Sequence, residues 1–244
     1  MAGARLFACL AALIAAPVVS HGAETTQGGW SAEFQEPTHR YGHGIMGDLP
    51  EWGRLCLSGK DGQAACVTLP ERRVFEDMAP RLADLDRDGT PEAVVVESDA
   101  TQGAALVVYR LAGAELQRIA TPPIGRAFRW LAPAGIADLD GDGYFEIAYV
   151  DRPHLAKTLR IWRYRDAALT EVAAAKGLTN HRIGETTIAG GIRDCGDTPE
   201  VITADAGWSR LVATTLDADK LTHRDIGPHK GRGSFKAAMA CKSP

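Results

Sequence analysis

The stretch FEDMAPRLADLDRDGTPEAVVV beginning at Phe75 recurs from Phe128 as FRWLAPAGIADLDGDGYFEIAYV, with one residue inserted. The correspondence runs on downstream, where LVVYRLAGAELQRIA from Leu106 aligns without a gap on LRIWRYRDAALTEVA from Leu159. Tyr109 falls on Trp162 and Leu116 on Leu169. A third copy is worn but legible as GGIRDCGDTPEVITA from Gly190, followed by LVATTLDADKLTHRDI from Leu211. Glu92, Glu146 and Glu200 are spaced evenly, 54 residues apart, which is longer than helical repeats and suits a propeller blade. GDLPEWGRLCL around Glu51 resembles DGTPEAVVV around Glu92, making about four units.

Inside each unit, runs such as EAVVVE, ALVVYRL and ELQRIA are rich in β-branched or aromatic residues and are punctuated by Gly, Asp and Pro. They read as strands. No long segment keeps a helical period, although EVAAAKGL after Thr170 could form a turn or two of helix. The expected class is all-β, a propeller-like arrangement of about four blades in a small or incomplete ring, against a two-sheet sandwich as the competing architecture. Residues 24–244 are expected to form a single domain of this kind.

Each intact copy carries an acidic loop. Asp84, Asp86, Asp88 and Glu92 take positions 1, 3, 5 and 9 of the first loop, with Gly89 at position 6. Asp138, Asp140, Asp142 and Glu146, with Gly143, repeat the arrangement. Alternate residues of a tight loop aim oxygens at one centre, and the glycine permits the turn that brings in the backbone carbonyl of position 7, here Thr90 or Tyr144. Flexible carboxylate oxygens suit calcium better than magnesium, which demands smaller octahedral geometry. Two structural calcium sites are therefore expected. An EF-hand would need a glutamate at position 12, where Val95 and Tyr149 stand, and an exiting helix in place of a strand. The plain alternative is a pair of solvated acidic turns. In the third copy Asp194, Cys195 and Gly196 run directly into Asp197, leaving too few oxygens for a site.

ADLDRDGTPEAVVV and IADLDGDGYFEIAYV resemble the FG-GAP or VCBS repeats of integrin α-chain propellers and many exported bacterial proteins. The resemblance covers roughly Tyr41 to Ile226 and implies blades whose Asp-rich loops hold structural calcium. Family propellers usually have seven blades, so about four units imply a small ring, an incomplete one, or one completed by a partner chain, self-association included. It further implies a non-catalytic binding or adhesion module facing a macromolecule or glycan. The alternative is a small polysaccharide hydrolase or lyase on the same scaffold, with Glu33, Glu97 or Asp151 as candidate acids. GxSxG, HExxH and P-loop motifs are missing from the sequence.

The compartment is read from the N-terminus, where Arg5 precedes an apolar stretch from Leu6 to Val19. That is a signal-peptide pattern, with cleavage near residues 20–23, and it predicts a periplasmic or secreted protein. No transmembrane segment is expected. Cys56, Cys66, Cys195 and Cys241 then remain in an oxidising compartment, where two disulfides are the natural reading. Three connectivities are open. Cys56 with Cys66 is favoured because the two flank SGKDGQ, whose Gly62 suits a hairpin turn, and Cys195 with Cys241 follows. A net charge of −4 argues against a dedicated nucleic-acid partner. His39, Arg40, Tyr41 and His43 cluster in GHGIMG and its approach, as a ligand patch or a loop packed by its own side chains. The basic stretch from Lys220 reads as a solvated tail, and Trp130, Trp162 and Tyr164 as packing residues rather than a sugar platform.

Overall fold

The computed structural model describes residues 23–243, so the predicted signal peptide lies, but for Ala23, outside the described residues. The first unit contains β1 (Glu24–Gln27), β2 (Trp30–Thr38), β3 (Glu51–Gly59) and β4 (Ala64–Thr68). The second contains β5 (Arg73–Phe75), β6 (Arg81–Ala83), β7 (Glu92–Asp99), β8 (Gly103–Ala112) and β9 (Glu115–Ala120). In the third are β10 (Leu131–Ala137), β11 (Phe145–Asp151), β12 (Thr158–Arg165) and β13 (Ala168–Lys176). The fourth has β14 (Leu178–Thr179), β15 (Gly191–Arg193), β16 (Glu200–Asp205), β17 (Arg210–Asp217) and β18 (Lys220–Pro228), followed by the helix α1 (Arg232–Met239).

All pairings are antiparallel; β6–β9, β10–β13 and β15–β18 each follow one another across a sheet as hairpins, with β5 pairing directly with β7 and β14 with β16. The first two units share one sheet through the pair Trp52–Phe75. This is an all-β, propeller-like repeat fold. The residue inserted in the third unit has a physical location: the ladder between β10 and β11 skips Ala134, shifting register between Pro133 and Gly135. A bulge of this kind absorbs an extra residue without turning the rest of the strand inside out.

Alternation along the inner strands explains how the sheets stack. On β7, Ala93 and Val95 pack with Phe34, Leu55 and Leu57 of the first unit, whereas Val94 and Val96 pack with Trp130, Ile147 and Tyr149 of the third. On β11, Ala148 and Val150 turn toward Val201 and Leu216 of the fourth unit. β7 and β11 are thus buried on both faces, and three of the cores are shared between neighbouring units, while the last lies between the fourth unit and α1. Burying one such valine or leucine contributes roughly 1.5–3 kcal/mol. Trp130, Trp162 and Tyr164 are all buried here, in keeping with a packing role.

Two local expectations are corrected. EVAAAKGL is not helical: residues 171–176 belong to β13 and pair along β12, because the ladder and its shared core outweigh alanine's helical preference. Nor is the C-terminal stretch a loose tail. Lys220–Pro228 is a strand, and α1 closes the last core with Phe235 and Ala238. The disulfides join Cys56 to Cys66 across β3 and β4, and Cys195 to Cys241 beyond α1. The second closes a span of 46 residues, worth about 4 kcal/mol by chain entropy. Among the described residues, no helix is long and apolar enough to cross a membrane.

Candidate metal centres

Glu51, Glu92, Glu146 and Glu200 stand at equivalent places, at or beside the start of β3, β7, β11 and β16. All four are buried, between 0 % and 9 % exposed. A buried carboxylate is costly unless something opposes its charge. The last three units meet that cost differently, whereas Glu51 in the first accepts from the His43 backbone N–H at 3.3 Å.

In the second and third units the glutamate folds back over the acidic loop. Glu92 Oε2 accepts a hydrogen bond from the Leu85 backbone N–H at 2.8 Å, and Glu146 Oε2 accepts from Leu139 at 2.8 Å. The loops superimpose bond for bond. Gly89 N–H donates to Asp84 Oδ2 and Gly143 N–H to Asp138 Oδ2, both at 3.0 Å. Asp86 Oδ1 and Asp140 Oδ1 accept from Asp88 N–H and Asp142 N–H, both at 3.3 Å. These bonds hold carboxylate oxygens of Asp84, Asp86 and Glu92 within 4.8 Å of one another, and those of Asp138, Asp140 and Glu146 likewise. Either triad could hold a metal ion.

One atom in each loop tests the fit. Asp84 Oδ1 and Asp138 Oδ1 are both shielded from solvent and have no hydrogen-bond partner. The same oxygen is orphaned twice, on the residue that opens each loop, while the other Oδ of each carboxylate is satisfied. An anionic oxygen left so in two independent copies suits a cation. Burial, with a smaller contribution from the negative charge of Asp86 and Asp88, pushes the Glu92 carboxyl up to about 7.

The remaining predicted ligands stand aside from the triads. Asp88 and Asp142 turn back on their own loops, accepting from the Thr90 N–H at 2.7 Å and the Tyr144 N–H at 2.9 Å. Tyr144 is partly exposed, with the Arg165 guanidinium 4.7 Å over its ring.

Three arginines that the loop motif does not announce shape the site. Arg163 on β12 reaches Asp140 at 2.6 Å, Asp142 at 2.9 Å and Glu146 at 2.6 Å. Its counterpart in the second unit, Arg110, comes only to 3.8 Å of Asp86. The alignment of Tyr109 on Trp162 already places these two arginines together, so their pairing was available from the repeat. Arg87 Nη2 lies 3.4 Å from Asp138 Oδ2 and joins the first loop to the second.

The fourth unit answers with its own cation. Opposite the glutamate in the ladder stand Ala83 and Ala137 in the loop-bearing units, but Arg193 in the fourth. Its guanidinium bonds Glu200 Oε2 through Nε at 2.8 Å and Nη2 at 2.6 Å, and Nη1 donates to the Ala238 carbonyl at the end of α1 at 2.7 Å. Arg224 takes the other oxygen of Glu200. In the fourth unit an arginine thus occupies the ladder position that alanine holds in the two loop-bearing units. Among the described residues, the acids of the degraded third loop form no metal-holding group.

Duplicated loops with this geometry point to one repeat type. Residues 84–149 match the FG-GAP-like repeat family model. The match spans the two acidic loops and the strands between them, so the FG-GAP-like repeat and the two candidate metal centres coincide. No curated protein matches the chain. Of the three carboxylates named as candidate catalytic acids, Glu97 is ion-paired with Arg73 and Arg118 and Asp151 with Arg152 and Arg160, while Glu33 accepts from the Gln35 amide at 3.1 Å.

Proposed function

We infer that this is an exported, non-catalytic binding or adhesion module whose FG-GAP-like repeats are stiffened by two calcium ions. The observation that carries the metal reading is the orphaned buried oxygen on Asp84 and again on Asp138. Asp84, Asp86 and Glu92 would hold one ion and Asp138, Asp140 and Glu146 the other, with Asp88, Asp142 and the Thr90 and Tyr144 carbonyls available to complete the oxygen shell. Bound calcium supplies positive charge to carboxylates that otherwise repel each other. The chain supplies the rest: backbone N–H groups orient each carboxylate, and the glutamates fasten the loops to β7 and β11. Two disulfides accord with an oxidising compartment. The repeat type supports binding or adhesion, with a glycan or another protein as partner.

The two centres should differ in strength. Arg163 already offsets charge at the second, so a cation there competes with a guanidinium, whereas Arg110 makes only one longer contact, 3.8 Å to Asp86, at the first. Calorimetry on EDTA-stripped protein is expected to show two calcium sites, the tighter one lost in Asp86→Ala and both lost in Asp86→Ala/Asp140→Ala. Arg163→Met should bring the second site close to the first. Absence of any binding at about 1 mM calcium, the range of extracellular modules, would overturn the metal reading.

A further inference from the structure

Tyr41 and His43 belong to a side-chain cluster that the metal centres leave unexplained. Arg40 turns away to the carbonyls of Leu69 and Arg73, but Tyr41 and His43 turn inward against Phe128, with ring centroids 5.0 and 5.5 Å away. Here a cleft of about 220 Å³ opens. His43 Nδ1 lies 2.7 Å from Oε1 of Glu76, which is 1 % exposed and whose other oxygen accepts from Ser98. Trp130, on the cleft wall, donates its indole N–H to the Glu76 carbonyl at 2.9 Å. The imidazole is thereby held by a buried carboxylate, and its Nε2 makes no hydrogen bond among the described residues.

The rim combines exposed apolar surface with positive charge. Phe128, Leu155 and Ile183, 49 %, 64 % and 69 % exposed, all line this cleft. So do Arg129 and Arg152, while no carboxylate lines it directly. Arg152 is committed to Asp151, but Arg129 donates only to the neighbouring Phe128 carbonyl and forms no ion pair among the described residues.

Comparison between the units shows that this surface is a departure from the repeat. Phe128 aligns with Phe75, which is fully buried in the core of the second unit. In the third unit the same residue swings out of the sheet at φ 55°, a conformation seldom tolerated by a bulky side chain, and is held there by a bond from its N–H to the Tyr41 hydroxyl at 2.7 Å. Arg129 replaces Glu76 at the next position. A ring that packs the core in one copy is strained outward in the other, beside an unpaired cation.

We propose that this cleft binds a small organic carboxylate with an aryl or branched-alkyl body, its anionic end between Arg129 and His43 Nε2 and its body against Phe128, Trp130 and Ile183. A cleft of about 220 Å³ suits a fragment-sized molecule. Apolar walls with a few convergent polar groups are the ordinary makeup of such sites.

The test is an NMR titration of the calcium-loaded protein with 3-phenylpropionate and 4-methylpentanoate, each compared with its neutral amide. Saturable shifts are expected at His43, Phe128 and Trp130, with the acids binding at least about tenfold more tightly than the amides. Arg129→Met should erase that preference while leaving amide binding unchanged, and Phe128→Ala should weaken acid and amide together. Both positions are on the rim, so unchanged melting temperatures should accompany the losses. No saturation by about 10 mM acid, equal binding of acid and amide, or full acid preference in Arg129→Met would each overturn the proposal.

Discussion

Removing divalent metal is expected to lower the melting temperature by roughly 10–20 °C. At a calcium concentration about 100-fold above Kd, each site contributes about 2.7 kcal/mol, so two contribute about 5 kcal/mol. For a chain of this size each kcal/mol moves the melting temperature by about 2–4 °C. Thermal melts in EDTA and in saturating calcium read the difference directly. Asp86→Ala/Asp140→Ala should abolish the calcium response. Asp84→Asn/Asp138→Asn keeps the shape of both loops but removes the charge beside the orphaned oxygens, and should abolish it too. Melts that coincide with and without calcium would leave the two loops as acidic turns.

Arg193→Ala should destabilise the protein by about 3 kcal/mol, or roughly 6–12 °C, whether or not calcium is present. The substitution leaves Glu200 buried with Arg224 as its remaining partner and strips the bond that ties β15 to the end of α1. Burial of Arg193 and Glu200, 8 % and 11 % exposed at the side chain, makes this pair expensive to break from one side only. Arg193→Met/Glu200→Met should recover most of the loss, since removing both partners leaves no uncompensated charge. A loss that calcium rescues, or a double variant as unstable as the single one, would refute the view that this guanidinium stands in for the metal. Together the two experiments separate units that depend on an added cation from the unit that carries its own.

The repeat period, the strand-rich class and the loop chemistry were legible in the sequence because they are local or periodic. Asp at alternate positions with glycine at the turn states a ligand geometry within nine residues. The even spacing of Glu92, Glu146 and Glu200 marks the start of one inner strand in each unit. Cys56 and Cys66 flank a single hairpin, so their pairing was also a short-range matter. The helical reading of EVAAAKGL failed for the converse reason: the helical preference of its alanines is local, and β12, formed from residues before it, overrides it through the ladder.

What the sequence by itself determined is the unit: its strands, its turn chemistry and the acidic loop that precedes β7 and β11. Tertiary structure decided which cation meets the equivalent buried glutamates of the third and fourth units, since Arg163 approaches Glu146 from a strand 17 residues away and Arg193 approaches Glu200 from across the ladder. It also decided that Phe128, identical in type to Phe75, leaves the core and joins Tyr41, 87 residues earlier, at the cleft. Ligand pattern and strand propensity act over a few bonds, whereas counter-charge and exposure depend on which distant side chains the stacked sheets bring within hydrogen-bond reach.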